Sequence, residues 1–320
     1  MTEKPKLAMY WAAACGGCEI SLVNLHEKLL EIDGLFDFVF CPCLLDTKKQ
    51  ELLQIPDDGL ALTLFNGAIR TDENEEMAHL LRRKSRILVA YGACAVHGGI
   101  PALSNLHTRG EHFRDIYSNS GVVPQTVTVV PEGELELPAF HDFVKRLDEV
   151  VEVDYFVPGC PPESDQLWEA VQAILNGPPP RGAVLGVAPS TVCDQCSRTR
   201  ERKQIAAFHR TYEIVPNETQ CLFDQGIVCM GVATRGGCGA LCPQVNMPCS
   251  GCYGAPDGVR DPGGKMVSVL GSVFAPGPFR NFTEAQLAER AAAVFSSIPD
   301  LAGTFYRYTL ASSALGRKRA

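Results

Sequence analysis

The first half of the chain alternates apolar stretches with amphipathic ones. Six apolar runs have the length and composition of buried strands, at residues 7–13, 36–42, 60–67, 86–94, 126–131 and 151–160. Three further stretches repeat apolar residues at helical spacing, at 19–32, 74–84 and 163–177. Strands that alternate with helices along a chain predict a parallel α/β sheet. We therefore expect a doubly wound, flavodoxin-like sheet in this half.

The pattern changes after the proline-rich segment GPPPRG at 177–182. Residues 183–270 lack clear periodicity, and eight of the fourteen cysteines fall within them. Such a segment offers little apolar side-chain area for a core, so we expect bound metal to stabilise it. After it, 282–298 has a clear helical pattern. The sequence thus predicts a flavodoxin-like domain over 1–177 and an irregular cysteine-rich domain over 178–320, which ends in a helix and a tail.

Charge and composition exclude several classes of protein. The formal net charge of −8 argues against binding of nucleic acid, which depends on clustered Lys and Arg. No apolar stretch reaches the roughly 18 residues that a membrane-spanning helix needs. The N-terminal MTEKPKL has neither a signal-peptide core nor a twin-arginine signal, so we expect a cytoplasmic protein. Cysteines in a reducing compartment bind metal or carry out redox chemistry more often than they form disulfides.

Four cysteines follow predicted strands of the first half. They are the CxxC pair after the first strand and one residue at the end of each of two later strands: Cys15, Cys18, Cys94 and Cys160. Because the carboxyl ends of parallel strands meet at one edge of a sheet, we expect these thiols to converge. Four thiolates suffice for one tetrahedral metal ion or one cubane cluster. A thioredoxin-type dithiol is the main alternative, but it does not require thiols at later strand ends.

The second half holds eight more cysteines, enough for two sites of four thiols each. Their order along the chain suggests one group of Cys193, Cys196, Cys221 and Cys229, and another of Cys238, Cys242, Cys249 and Cys252. A structural zinc site is the alternative, although the spacing lacks the paired CxxC knuckles of a zinc ribbon. Prolines and glycines beside the thiols, as in MPCSGC, favour iron–sulfur clusters.

Three other residues stand near the predicted sites. Glu19 directly follows the first cysteine pair, and an anion at a helix start is stabilised by the helix dipole. Beside a cluster, the same carboxylate would relay protons or anchor a partner. Cys41 and Cys43 also end a strand, but they are one residue apart. We interpret them as small buried apolar residues or a feature of the loop.

Three short motifs of the chain resemble a known family. CGGCE at 15–19, GAC at 92–94 and PGCPP at 158–162 are similar to the proximal-cluster motifs of the small subunit of nickel–iron hydrogenases. The later cysteines resemble, in order, that family's two further cluster sites. The resemblance spans nearly the whole chain. It implies an electron-transfer subunit without catalytic residues of its own, whose nickel-containing large partner subunit splits dihydrogen.

Two further segments resemble one subgroup of that family. GGIPAL at 98–103 and RYTLASS at 307–313 look like the cytoplasmic methyl-viologen-reducing hydrogenases that associate with heterodisulfide reductase. Periplasmic relatives often carry a histidine where this chain has Cys193, and a proline where it offers Cys242. The resemblance therefore implies three 4Fe–4S clusters.

The resemblance also implies the ligands of each cluster. The proximal cluster would bind to Cys15, Cys18, Cys94 and Cys160, the distal one to Cys193, Cys196, Cys221 and Cys229, and the medial one to Cys238, Cys242, Cys249 and Cys252. Electrons would pass from the large subunit through the proximal, medial and distal clusters to an acceptor subunit. Two alternatives are the cluster subunit of a quinone- or deazaflavin-linked complex, and an α/β scaffold with a zinc-stabilised interaction domain. The CGGC spacing and the eight later thiols disfavour the quinone-linked one.

Overall fold

The chain forms two compact units in this computed structural model. The structure describes residues 3–119, 137–201, 205, 207–273, 282–298 and 300–316. One unit consists of the residues up to 186 together with those from 310 onward, and the other of residues 187–309. The strand expected at 126–131 lies outside the described residues.

The first unit is built on a parallel β-sheet. The strands of the described residues are β1 (Lys6–Trp11), β2 (Asp37–Phe40), β3 (Leu60–Asn66), β4 (Ile69–Thr71), β5 (Ser85–Tyr91), β6 (Phe140–Lys145), β7 (Tyr155–Val157) and β8 (Ala183–Val184). Six of them pair in parallel in the order β2–β1–β3–β5–β7–β8, and β4 pairs with β6 in a separate antiparallel ribbon. This is the flavodoxin order extended by β8, so the predicted α/β sheet is confirmed.

Helices connect the strands and supply most of the regular structure of the second unit. The α-helices of the described residues are α1 (Gly17–Val23), α2 (Glu27–Leu35), α3 (Lys49–Gln54), α4 (Asp72–Lys84), α5 (Ala93–His97), α6 (Arg109–Phe113), α7 (Ser164–Asn176), α8 (Val192–Gln195), α9 (Leu241–Gln244), α10 (Pro262–Val273), α11 (Glu284–Ser296) and α12 (Leu301–Phe305). Short 3₁₀ helices cover Ile100–Leu106, Leu147–Glu149, Phe223–Gln225 and Met230–Ala233, and a π-helical segment covers Arg114–Asn119. Within the described ranges, none of these helices has the length and apolar composition needed to span a lipid bilayer.

Alternate residues of the central strands divide the core of the first unit into two layers. Leu7 and Met9 of β1 pack in a layer with residues of α1, α2 and α7, whereas Ala8 between them packs with residues of α3 and α4. The alternation recurs in β5, where Val89 lies in the first layer and Leu88 in the second. Successive strand side chains point to opposite faces, so helices cover both sides of the sheet.

Three of the differences from the expected elements have a local explanation. The helical pattern at 19–32 forms two helices, α1 and α2, separated by a turn in which His26, the residue before α2, adopts a positive φ of 52°. The strand expected at 151–160 is shortened to β7, since Gly159 turns the chain with a φ of 137°. Helix α10 was not expected. It begins where the Gly264 N–H donates to Oδ1 of Asp261 at 2.8 Å, a side-chain cap that apolar periodicity does not reveal.

The second unit has an apolar core of its own. Met266 and Leu270 of α10 belong to one buried cluster with Val294 and Ile298 at the end of the α11 segment and Phe305 of α12. The expectation that residues 183–270 offer little apolar core is therefore wrong. The cluster also contains Phe208, Met230 and Ala233 from the cysteine-rich segment itself.

A buried carboxylate joins α4, β5 and β7 in the first unit. Asp154 is 2% exposed, and its Oδ2 atom accepts hydrogen bonds from Arg82 Nη1 at 2.6 Å and from the Leu88 N–H at 2.8 Å. Nε of the exposed Arg181 lies 3.2 Å from Oδ1. These partners come from the last turn of α4 and from β5, and Asp154 directly precedes β7. The carboxylate therefore links α4 and β5 to the start of β7.

We predict that Asp154→Ala lowers the free energy of unfolding by about 3 kcal/mol, because it leaves Arg82 and the Leu88 amide without their buried partner. The matched control, Arg181→Ala, removes only the exposed cation and changes stability by less than about 1 kcal/mol. Anaerobic urea unfolding followed by circular dichroism measures both. Equal unfolding midpoints for the two variants would contradict the role given to Asp154.

Candidate metal centres

The first cysteine pair lies in the loop between β1 and α1. Gly16 adopts a left-handed φ of 89°, which lets the chain turn sharply into the helix. The Cys15 side chain remains exposed, whereas Cys18 lies buried in the first turn of α1. The CxxC pair therefore presents one exposed and one buried thiol beyond the carboxyl end of β1.

Two backbone hydrogen bonds link the loops that follow β5 and β7. The Gly92 N–H donates to the Val157 carbonyl at 2.8 Å, and the next N–H along the chain donates to the Gly159 carbonyl at 2.6 Å. These bonds continue the pairing of β5 with β7 beyond the ends of both strands. The start of α5, which carries Cys94, therefore runs beside the loop that carries Cys160.

Glycines leave room for two of the sulfur atoms. A Cβ atom on Gly92, whose φ is +87°, would lie 2.3 Å from Cys18 Sγ. A Cβ atom on Gly99 would lie 2.5 Å from Cys94 Sγ. Both distances are far below van der Waals contact, so these thiols lie directly against glycine backbone. The loop after β5 thus contacts the Cys18 thiol of the first pair.

Helices α1 and α7 fix the loop that contains Cys160. The Ser21 hydroxyl of α1 donates a hydrogen bond to the Pro162 carbonyl. Nε2 of Gln166 in α7 donates to the Pro158 carbonyl at 3.0 Å, and the Gln166 side chain is buried. One bond lies on each side of Cys160, so the position of its thiol depends on both helices.

Burial and neighbouring thiols of the proximal set raise the pKa of three of its four cysteines, Cys18, Cys94 and Cys160. Burial raises the pKa of Cys18, and Cys94, Glu19, Cys160 and Cys15 raise it further. Burial also raises the pKa of Cys94 to about 12, again with contributions from Cys160 and Cys15. Four thiolates at this place therefore require a positively charged group between them. Iron, which binds soft thiolate ligands, fits this donor set.

Glu19 lies buried beside this group. One of its carboxylate oxygens accepts a hydrogen bond from the Asn66 side-chain amide, and the other has no hydrogen-bond partner among the described residues. Burial raises the pKa of Glu19, while hydrogen bonds from its own backbone amide and from Asn66 lower it. Glu19 stands in the first turn of α1 and also raises the pKa of Cys18. Its geometry is thus compatible with both roles expected from the sequence.

A second group of cysteines lines a cavity in the second unit. The cavity is bounded by two arginines and four cysteines: Arg198, Arg200, Cys193, Cys196, Cys221 and Cys229. A Cβ atom on Gly231 would lie 3.1 Å from Cys193 Sγ and 3.7 Å from Cys229 Sγ, so both thiols contact the same glycine. The structure thus brings together the four cysteines that the sequence groups as the distal set.

Positive charge and backbone amides surround this second group. Burial raises the pKa of Cys193 to about 12, the Arg200 guanidinium lowers it, and the other three thiols of the set raise it. Cys229 also has a raised pKa from burial, opposed by hydrogen bonds from the N–H groups of Gly231 and Cys249. The Cys249 N–H lies 3.3 Å from Cys229 Sγ. These groups would stabilise negative charge on the sulfur atoms.

Arg198 holds the walls of the cavity together. It is 7% exposed, and its guanidinium donates to the carbonyl of Pro243 at 2.8 Å, of Asn217 at 2.7 Å and of Gln220 at 3.0 Å. It also donates to the Asn246 side chain. These acceptors come from two segments far apart in sequence, so a single buried side chain joins them beside the thiols.

The last four cysteines occupy positions 238–252. Cys249 is buried, and after burial itself the thiols of Cys229 and Cys252 contribute to raising its pKa. Cys242 is exposed in α9, and Cys238 is partly buried. Among the described residues, no three Cys, His, Asp or Glu side chains form a group suited to a single metal ion. Joint binding of one cluster by these four cysteines stays a prediction.

Sequence reasoning missed three residues at these sites. Arg198 and Arg200 stand only a few positions after CDQC, in the charged run RTRER, which by itself indicates a solvated surface. Asn66 ends β3 without any motif. Its position at the same strand edge as the first cysteines is the one signal that indicated a site residue.

The amino-acid sequence matches the protein family described as NADH ubiquinone oxidoreductase, 20 Kd subunit, over residues 15–174. It is 38% identical to the iron–sulfur subunit of an F420-non-reducing hydrogenase from Archaeoglobus profundus over 98% of each chain. It is 37% identical to the corresponding F420-non-reducing hydrogenase subunit of Methanothermobacter marburgensis over 99% of this chain and 98% of that one. The chain belongs to this family of nickel–iron hydrogenase small subunits.

A solved structure agrees with this membership. A chain in the crystal structure of an NAD⁺-reducing nickel–iron hydrogenase in the H2-reduced state aligns with 56% of this small subunit and 95% of its own length. The TM-score is 0.50 and the sequence identity 31%. Small subunits of this family carry iron–sulfur clusters and pair with a nickel–iron large subunit in homologous complexes. The chain is thus a subunit of an oxidoreductase.

We predict that Gly92→Ala lowers the iron content of this small subunit. A Cβ atom in this backbone conformation costs about 1–3 kcal/mol in strain, and it would also displace the Cys18 sulfur. The control is Gly110→Ala in α6, where a Cβ atom has no neighbour within 4 Å. Iron analysis of the purified variants compares the two. Wild-type iron content in Gly92→Ala would show that the contact with Cys18 does not matter for cluster binding.

Proposed function

We propose that this small subunit conducts electrons from dihydrogen oxidation in the large subunit through three 4Fe–4S clusters to an acceptor subunit. Bound clusters would supply one-electron redox chemistry, while the bond of dihydrogen would be broken in the large subunit. The observation that carries the proposal is the set of four cysteines beyond β1, β5 and β7, in which burial and neighbouring thiols of the set raise the pKa of Cys18, Cys94 and Cys160. Such a donor set needs a cationic metal group, and family membership indicates iron and sulfide.

We assign the ligands by cluster. The proximal cluster takes Cys15, Cys18, Cys94 and Cys160. The distal cluster takes Cys193, Cys196, Cys221 and Cys229, which surround one cavity. The medial cluster takes Cys238, Cys242, Cys249 and Cys252. The first site then belongs to a domain over 1–177 and the other two to a domain over 178–320.

The residues around the thiols in the second unit favour reduction of the distal site. The Arg200 guanidinium stabilises negative charge at Cys193, and the Cys249 N–H donates to Cys229 Sγ. Hydrogen bonds to ligand sulfur and nearby positive charge both raise the reduction potential of a cluster. The Cys249 N–H also joins a residue of the medial set to a ligand of the distal set. This contact provides a short covalent and hydrogen-bonded route between the two.

The proposed acceptor and compartment rest on the resemblance of two segments to one subgroup of the hydrogenase family. GGIPAL at 98–103 and RYTLASS at 307–313 support a cytoplasmic enzyme whose acceptor subunit belongs to a heterodisulfide reductase complex. Glu19, buried at the first site, would relay protons or anchor the large subunit. Purification of the complex from its native cells, with identification of the co-purifying subunits, tests the acceptor. Recovery of the nickel subunit with a different redox partner would refute it.

We predict that Cys94→Ser abolishes hydrogen-dependent reduction of methyl viologen, because electrons could no longer leave the large subunit through the first cluster. The assembled complex should retain its nickel. The matched control is Cys43→Ser, which removes an exposed thiol outside all three assigned sets. It should keep both the activity and the iron content of the wild type.

The same dye-reduction assay can contradict the proposed electron transfer through the first cluster. Full dye reduction by Cys94→Ser, in a complex of normal composition, would mean that electrons bypass the first cysteine group. Loss of nickel together with activity would instead indicate an assembly defect. In that case Cys160→Ser, which changes the same set from another loop, repeats the test.

A further inference from the structure

One pair of thiols lies outside the three cysteine groups. Cys41 and Cys43 stand in the CPC sequence directly after β2, and their Sγ atoms are 3.4 Å apart. A disulfide bond has an S–S distance of about 2.05 Å, so a shift of little more than 1 Å would bring these atoms to bonding distance. The two sulfurs are thus positioned as a dithiol that can close on itself.

The turn around Pro42 brings the sulfurs together. The Cys41 carbonyl accepts hydrogen bonds from the Leu44 N–H at 2.9 Å and from the Leu45 N–H at 2.8 Å. Proline between the cysteines fixes one backbone dihedral angle of the turn. The approach of the two thiols is therefore part of an ordered turn and does not depend on a freely rotating loop.

The two thiols differ in their access to solvent. Cys41 is 0% exposed and belongs to the apolar layer that also contains Leu7 and Met9, whereas Cys43 is exposed. Burial is the main cause that raises the pKa of Cys41 to about 12, and the neighbouring Cys43 raises it further. An internal disulfide forms by exchange when an accessible sulfur attacks first and a second sulfur lies near enough to attack the mixed disulfide. Cys43 and Cys41 are placed for these two roles.

The pair is also separate from the first cluster site. Cys41 and Cys43 follow β2 at the edge of the sheet and contact each other, whereas the four cysteines of the proximal set follow β1, β5 and β7. Reaction at Cys41 and Cys43 therefore does not require a cluster ligand to be released.

We propose that Cys41 and Cys43 form a thiol–disulfide exchange site whose oxidant is a low-molecular-weight disulfide. The Cys43 thiolate attacks one sulfur of that disulfide, forms a mixed disulfide and releases the other half as a thiolate. Cys41 then attacks Cys43 Sγ, the mixed S–S bond breaks, and the second half takes the Cys41 proton and leaves as a thiol. The protein loses two electrons and two protons as the Cys41–Cys43 bond forms. The small disulfide gains them and becomes two thiols.

The test uses the cluster-loaded protein, treated anaerobically with glutathione disulfide and then blocked with N-ethylmaleimide. Trypsin releases residues 29–48 as a peptide that contains both cysteines and no other. We expect this peptide to lose two hydrogens and to carry no maleimide, with the iron content unchanged. A peptide that carries two maleimides, or one glutathione in stable form, would overturn the proposal.

Two variants separate the roles of the thiols. Cys41→Ala lacks the second attacking sulfur, so we expect a stable glutathione adduct at Cys43. Cys43→Ser lacks the accessible sulfur, so the buried Cys41 should not react with glutathione disulfide and should gain no adduct. If Cys41 in Cys43→Ser formed a glutathione adduct as readily as Cys43 does in Cys41→Ala, the assigned order of attack would be contradicted. If Cys41→Ala loses iron, the wild-type peptide still decides whether the internal disulfide forms.

Discussion

The structure of the first unit depends on how it places Cys15, Cys18, Cys94 and Cys160 beyond the carboxyl ends of three strands of one parallel sheet. Burial and repulsion from neighbouring thiols raise the pKa of Cys18, Cys94 and Cys160, to about 12 for Cys94, so these three favour the protonated form on their own. A metal group reverses this preference, since coordination to a cation removes the thiol proton. The glycine at position 92 and the hydrogen bonds from Ser21 and Gln166 are explained by this constraint, because each fixes a sulfur-bearing loop.

The second unit holds its cysteines in place by different interactions. It has no parallel sheet among its described residues to align its loops, and the segment that bears its cysteines contains only short helical turns. Arg198 joins distant carbonyl groups beside the cavity, and Arg200 brings positive charge to Cys193. Helices α10–α12 add an apolar core, which makes the unit less dependent on bound metal than its cysteine content suggests.

The sequence predicted those features that follow from regular geometry. The placement of Cys15, Cys18, Cys94 and Cys160 beyond strand ends follows from the rule that parallel strands end at one edge of the sheet, and the β-strand pattern predicted the sheet itself. The break between α1 and α2 could not be predicted, because it lies at a turn in which His26 adopts a positive φ. The role of Arg198 could not be predicted either, since its acceptors at 217, 220 and 243 meet only in the folded unit. The contact between Cys41 and Cys43 likewise requires the turn conformation, and their spacing alone gave no indication of it.

The central claim is that the cysteine groups bind iron–sulfur clusters. The most direct test is X-ray diffraction from anaerobically grown crystals of the complex, with anomalous data collected on both sides of the iron absorption edge. The account predicts three separate iron peaks in this subunit, one of them enclosed by Cys15, Cys18, Cys94 and Cys160. Anomalous density at the zinc edge in these positions, or no iron density between those four sulfurs, would contradict it.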